Sequence, residues 1–427
     1  MSEAIEENLE LNDVDRAMLA GELGPAPQLA ARVIVRMAQV QGAETLLDIE
    51  GAHIDSSLYM GDATLIFAER LAEMGAQVSV PSTLNVSGVD EHGWQHWSVP
   101  EDWAHKAHRQ MLAYQEMGCI PTWTCAPYQT MYKPEFGQQI AWGESNAIVF
   151  ANSVIGARTE RYPDLMDICA AITARVPAVG LHLDENRVGQ ILIRLKDIPA
   201  KVQESDTLFP VLGHWMGKIV GDKIPVLLDL DVDPTEDQLK SFGAAAASSG
   251  SVGLYHIVGV TPEAKTVKMA FKSRKPDRVI ELTMADLRAA WDELTTSEGA
   301  DLDMVVLGSP HFSLQEFARL APLLEGKNKH PDVKFLVTSS RAMTALAEKG
   351  GHLRSLKDFG ANVTLDTCIL TTPMLSPEIK TIMTNSPKYA YYAPGLLNTE
   401  VVFGSLEDCV TSAVKGKVTR KEALWGG

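Results

Sequence analysis

Apolar residues along this chain recur in two registers. At helical spacing, Leu29, Val33, Ile34 and Met37 predict an amphipathic helix over 28–40. Asn12 predicts the cap of a short helix over 13–19, Gly24 and Pro25 break the pattern, and Pro27 suits the first turn of the next helix. Further helices are expected over 62–74, 103–117, 146–154 and 165–174. Short β-branched runs predict strands over 45–49, 77–80, 304–307, 334–337, 362–365, 382–383 and 401–403. Ser313 with Glu316 reads as a capping box, and Ser405 caps the last helix. Residues 1–11 are expected to be irregular.

Near Val179 the texture changes. Over 219–220, 226–230, 254–260 and 267–271 the apolar runs are shorter, with Gly and Pro between them, which predicts an inserted α/β lobe. The chain thus reads as 1–178, the N-terminal part of a core domain, 179–295, the inserted lobe, and 296–427, the C-terminal part completing the core and its site. The expected fold class is α/β, a three-layer arrangement of parallel-rich sheets.

The chain has 427 residues, 45% of them hydrophobic and 22% charged, which is ordinary for a globular protein of two or three packed units. Its net charge of −17 argues against nucleic acid or an anionic membrane as partner. The acidic N-terminus lacks the basic-then-apolar pattern of a signal peptide, and no run is long and apolar enough to span a bilayer. Five cysteines in so long a chain do not suggest a disulfide scaffold, and the reducing cytoplasm is the expected compartment.

Polar residues gather beyond the predicted strand ends, where open α/β sheets place their ligands. Gly308-Ser309-Pro310-His311 follows one apolar run and Asp366-Thr367-Cys368 another. A turn-rich stretch, Pro121 to Gln129, carries Cys125 between an aromatic residue and a proline. Cys125 and Cys368 with a third ligand have the soft donors that iron–sulfur units prefer. No C-x-x-C occurs, so spacing alone favours buried, unreactive cysteines, the reading given to Cys119 and Cys169.

Other candidates also have bland alternatives. His53 and Asp55 can share a proton or orient a substrate oxygen, or Asp55 can simply cap a turn. Ser82, Thr83 and Asn85 can bind a carboxylate or satisfy loop backbone. Glu144, Ser145 and Asn146 open a predicted helix, whose free N–H groups favour an anion. Arg158 and Arg161 can clamp a carboxylate or form structural ion pairs. The stretch 91–101, with His92 and His96, reads as an irregular loop over the site. Gly243 to Gly250 lacks the Gly-Lys-Ser/Thr end of a phosphate loop, and no dinucleotide fingerprint is present.

The blocks Ala52-His53-Ile54-Asp55, Pro81 to Asn85, Thr122 to Tyr128, Ala141 to Asn146, Gly180 to Asn186, Thr338 to Arg341, Asp366-Thr367-Cys368 and Thr384 to Pro394 occur in this order. Together they resemble aconitase X, the divergent dehydratase branch of the aconitase superfamily. The resemblance implies aconitase-like parallel-rich sheets and a hydro-lyase in which iron acts as a Lewis acid on the departing hydroxyl. It implies that Cys125 and Cys368 hold the metal, with Ser309 at the position where family members carry a third cysteine. Serine is a hard ligand, so a 2Fe–2S cluster is favoured, with a 3Fe–4S or 4Fe–4S cluster, another third ligand or mononuclear iron as alternatives.

His53, Ser340 and Lys388 become the catalytic candidates, Ser340 as a base beside Arg341. Asp55, Asn85, Ser145, Asn146, Arg158, Arg341 and Asn385 become the substrate-binding ones. The implied substrate is a small hydroxy acid: cis-3-hydroxy-L-proline, giving Δ1-pyrroline-2-carboxylate, or alternatively mevalonate 5-phosphate. A separate small, swivelling-domain subunit is the expected partner, and a non-catalytic binding subunit is the contrasting reading.

Overall fold

The computed structural model describes residues 9–130, 132–421 and 423–425. The irregular terminus expected over 1–11 lies, up to residue 8, outside them. By internal contacts the chain divides into two compact units, one of Met1–Val89 with Pro100–Val188 and one of Asp90–Val99 with Gly189–Gly427.

In the first unit, Asn12 caps the helix Asp13–Ala20 through a capping box with Asp15, and Gly21, at φ 83°, ends it. The helix Pro25–Gln41 starts with Pro at its first position and stops at Gly42, φ 71°. Strands β1 (Leu46–Asp48), β2 (Ala52–Ile54), β3 (Ser82–Leu84), β4 (Ala141–Trp142) and β5 (Arg175–Pro177) form two sheets. One is parallel, in the order β3-β2-β4, and the other is the antiparallel pair β1-β5. Arg175 closes a bidentate ion pair, at 2.9 Å on both oxygens, with Asp15 on the first helix, and both side chains are buried.

Two expectations fail here. The polar stretches at His53 and at Thr83 are not turns beyond strand ends. They are strands, paired His53 to Thr83 and His53 to Trp142. Nor do residues 77–80 form a strand: the Val78 and Ser79 N–H groups bond the carbonyls of Met117 and Ala171, both at helix ends or within a helix.

The second unit contains two parallel sheets. The smaller has β6 (Ile191–Arg194), β7 (Pro225–Leu228), β8 (His256–Ile257) and β9 (Arg278–Glu281) in the order β8-β7-β6-β9. The helices Leu208–Val220 and Glu236–Ser249 lie together so closely that a Cβ on Gly213 would stand 2.3 Å from the Phe242 carbonyl oxygen. The Gly243–Gly250 stretch is the packed end of a helix, not a phosphate loop.

The larger sheet has β10 (Met304–Phe312), β11 (Lys334–Ser339), β12 (Asn362–Leu365), β13 (Thr381–Thr384) and β14 (Glu400–Phe403) in the order β12-β11-β10-β13-β14. All its pairings are parallel, so all its C-terminal strand ends share one edge. The strand order reverses between β10 and β13, which opens a crevice at that edge. Its core includes Leu307, Phe312, Phe317, Phe335, Val337, Phe359 and Met383, all buried. The parallel-rich α/β class expected from the sequence is met.

Candidate functional site

In the first unit the site residues sit on and around the three-stranded sheet. His53, at the centre of β2, is fully buried, and its Nδ1 lies 2.8 Å from the Thr83 hydroxyl. Its Nε2 makes no well-formed hydrogen bond, although the Thr124 carbonyl favours its protonation. Burial dominates and lowers the His53 pKa to about 4, against opposing pulls from Glu144 and Thr124, so the imidazole is neutral near pH 7.

Just past β2, the Asn85 amide donates to the Asp55 carboxylate. Buried Asp167 fixes this corner from below, accepting from the Asp55 N–H at 2.6 Å and the Ser56 hydroxyl at 2.6 Å. Gly143 is required beside them, because a Cβ there would stand 2.8 Å from the Asp55 Cβ and 2.9 Å from an Asp167 oxygen.

Asn146 reaches the thiol-bearing turn. Its Nδ2 donates to the Cys125 carbonyl at 2.8 Å, and its Oδ1 accepts from the Tyr128 hydroxyl at 3.1 Å. The Tyr128 ring stacks on Phe150 at 3.7 Å between centroids. Glu144, not Ser145, caps the helix Ser145–Phe150, accepting from the Ala147 N–H at 2.8 Å, while the Ser145 hydroxyl donates to Glu144. Arg158 takes the structural alternative: it is buried, pairs with Asp184 at 2.9 Å and donates to the Gly156 carbonyl at 2.6 Å.

In the second unit the candidates line the C-terminal edge of the larger sheet. Ser309 follows Gly308, whose φ of 99° and close approach to the Thr338 carbonyl exclude a side chain. Cys368 is buried, with its sulfur 3.6 Å from the Tyr389 hydroxyl and 3.5 Å from the Leu370 N–H. Burial raises its pKa, while Leu370, Tyr389, Lys388 and the Ser309 hydroxyl pull the other way. Ser309, Lys388 and Cys368 are thus brought together.

Ser340 caps the helix Arg341–Lys349. Arg341 pairs with the fully buried Asp366 and lies 3.6 Å from Glu91 and 3.9 Å from Asp90. Asp90 also accepts from the Leu365 N–H, so the stretch 90–99 is moored to the end of β12. Asn385 lines a cleft of about 240 Å³ with Phe312, Asp237, Glu316 and Arg319.

A buried cluster underlies β10. The Lys240 ammonium meets Asp237 at 3.0 Å, Glu316, and the His311 carbonyl at 3.3 Å, and His311 Nε2 in turn lies 3.0 Å from the Thr367 carbonyl. Burial alone would lower the Lys240 pKa, but Glu316 and Asp237 outweigh it and hold the ammonium above its ordinary value.

The fit of these residues to an iron centre is uneven. The donors around the Cys368 sulfur suit a thiolate, and Ser309 beside it offers a hard oxygen. Among the described residues no group of three His, Cys, Asp or Glu side chains stands close enough to hold a metal ion.

Family models match the chain in three successive pieces: the aconitase X first domain over residues 8–185, the second over 189–292 and the third over 302–415. The chain belongs to the aconitase X family. Among its relatives, the cis-3-hydroxy-L-proline dehydratase of Pseudomonas aeruginosa is 46% identical over 97% of this chain and 72% of its own length. That of Hypocrea jecorina is 44% identical over 96% of this chain and 69% of its own. The phosphomevalonate dehydratase large subunit of Methanosarcina mazei is 34% identical over 95% of this chain and 98% of its own. The holo-form crystal structure of Thermococcus kodakaraensis aconitase X superposes with a TM-score of 0.85 at 32% identity, covering 95% of this chain and all of that one. The aconitase X relatives named here as enzymes are dehydratases, in agreement with the hydro-lyase class expected from the sequence.

Sequence reasoning left Asp167, Thr338 and Tyr389 out of the site, although each holds a candidate residue or its neighbour in place. Thr338 and Tyr389 lie inside the quoted blocks and were legible there. Asp167 lay in a predicted helix with nothing to single it out.

Proposed function

We propose that this chain is a hydro-lyase that removes water from cis-3-hydroxy-L-proline, giving Δ1-pyrroline-2-carboxylate. The observation that carries this reading is the gradient of identity: 46% and 44% to the two cis-3-hydroxy-L-proline dehydratases, against 34% to the Methanosarcina mazei phosphomevalonate dehydratase large subunit.

An iron–sulfur cluster, with 2Fe–2S favoured, is the assigned cofactor, and it would supply Lewis-acid activation of the hydroxyl. Its candidate ligands are Cys125, Ser309 and Cys368. The donors around the Cys368 sulfur support its part in this set. His53, Ser340 and Lys388 are the proposed catalytic groups. A neutral His53 can take a proton, and the Lys388 charge can steady the negative charge that develops on the substrate carboxylate. Asp55, Asn85, Ser145, Asn146, Arg341 and Asn385 are the proposed substrate contacts. Arg158, with its guanidinium on Asp184, is the weakest of the original set.

A separate small subunit is the proposed partner, supported by the large-subunit names of the phosphomevalonate relatives. The cytoplasm is the proposed compartment, consistent with five free, buried cysteines.

The test is anaerobic purification with iron and sulfide quantification, then turnover of cis-3-hydroxy-L-proline and of mevalonate 5-phosphate, with and without a co-expressed small subunit. Iron and sulfide lost in both Cys125→Ser and Cys368→Ser, with turnover of the imino acid alone, support the reading. Turnover of mevalonate 5-phosphate instead would reassign the substrate, and an iron-free, inactive protein would sink it.

A further inference from the structure

The stretch Asp90–Val99 belongs by its contacts to the second unit, and it brings two acids to Arg341. The Asp90 carboxylate accepts from the Leu365 N–H at 3.0 Å and from its own turn, at 3.2 Å from the His92 N–H and 2.9 Å from the Gly93 N–H. The Glu91 N–H donates to Asp366 at 3.3 Å. These bonds fix the backbone of Glu91 beside Arg341. The Glu91 side chain stays 31% exposed, with its carboxylate 3.6 Å from the guanidinium.

Arg341 thus faces three carboxyl groups, those of Asp90, Glu91 and Asp366, and its pairing with them is incomplete. Arg341 Nη2 and the Glu91 N–H both meet one Asp366 oxygen. The other Asp366 oxygen and the Arg341 Nε–H are buried and have no hydrogen-bond partner among the described residues. Arg175, by contrast, meets Asp15 through both Nε and Nη2. Bare buried groups are uncommon in folded chains, and on a charged pair that a solute can reach they mark a corner built for binding.

The charge of this corner selects among ligands. A guanidinium outnumbered by acids is a poor receptor for a bare anion, but it suits an anion that carries its own cation. An α-imino acid does so, because its carboxylate and its secondary ammonium sit on one carbon. Mevalonate 5-phosphate has a carboxylate and a phosphate and no cation. We propose that Glu91 selects the substrate: its carboxylate takes the ring ammonium while Arg341 takes the neighbouring carboxylate. This assignment rests on the imino-acid reading above and does not involve the iron centre.

The test compares L-proline with cyclopentanecarboxylate, which differ at the ring nitrogen and have no hydroxyl to lose. Calorimetric titration of the full chain should show the parent preferring L-proline. Glu91→Gln should weaken L-proline by about tenfold, leave cyclopentanecarboxylate unchanged and keep the parent's melting temperature. Glu91→Asp, which retains the charge, should retain most of the preference. In turnover of cis-3-hydroxy-L-proline the Glu91→Gln loss should appear in KM and not in kcat. Equal binding of the two ligands by the parent, or equal losses for both in Glu91→Gln, would overturn the assignment while leaving imino-acid turnover by the parent intact. A parent that turns over mevalonate 5-phosphate and not the imino acid would remove the substrate reading, and the role of Glu91 with it.

Discussion

Arg341 and Asp366 are paired at one edge of the larger sheet of the second unit. Arg341 opens the helix after β11, and Asp366 follows β12 in a left-handed conformation, φ 63°. Asp366 is fully buried while the Arg341 side chain is about a third exposed, so the arginine, not the carboxylate, is the member of the pair that a solute can meet.

Removing that guanidinium strands a buried carboxylate. Arg341→Gln should cost about 2–4 kcal/mol, read as a lower melting temperature or denaturant midpoint. The double change Arg341→Gln with Asp366→Asn should recover part of it. An additive double mutant would mean that the two groups do not interact.

His53 sets an acid limit on stability. Its folded pKa is about 4 and its unfolded value 6.5, so between those pH values the unfolded chain binds the extra proton. Stability should therefore be fully present above pH 6.5 and fall as the pH drops towards 4, by an amount on the order of 3 kcal/mol. Denaturant midpoints against pH should fall less steeply over this window for His53→Gln than for the parent.

The contact between the helices Leu208–Val220 and Glu236–Ser249 depends on absent side chains. Gly213→Ala should improve intrinsic helix propensity by about 1 kcal/mol. Yet its Cβ would stand 2.3 Å from a backbone oxygen that cannot turn aside. Net destabilisation of about 1–3 kcal/mol is expected, and a stabilised variant would show that the helices can separate without cost.

Asn146 holds the Cys125 turn from a neighbouring helix. Asn146→Leu should remove its hydrogen bonds to the Cys125 carbonyl and the Tyr128 hydroxyl, costing about 1–3 kcal/mol. Alkylation of Cys125 should quicken several-fold while that of Cys169, buried within a helix, stays at the parent rate.

The sequence was most legible where elements are long or punctuated. The capping box at Ser313 and Glu316 is present, and β12 spans the residues its apolar run marked. It was least legible where strands are three residues long and buried throughout. Around His53 and Thr83 no alternation can develop, and polar side chains at the strand centres imitate a turn. Partnerships across distance left no trace either. Lys240 finds Glu316 76 residues away, and Cys368 finds Tyr389 21 residues on, through the sheet rather than the local pattern. What the strand-end rule did find was the edge itself: Ser340, Cys368 and Asn385 follow strands of one parallel sheet, whereas Ser309, expected past a strand end at Leu307, lies inside β10, which runs on to Phe312.

The buried Lys240 bears on how this chain can be taken apart. Asp237 and Lys240 lie in the piece matched by the second aconitase X domain, and Glu316 and His311 in the piece matched by the third. A chain cut between residues 292 and 302 would leave Glu316 facing solvent without its ammonium, and the β10 end without its anchor. The seam that divides these pieces in sequence is therefore not a seam in folding. Shuffling either piece among relatives should succeed only when the lysine and its two acids travel together.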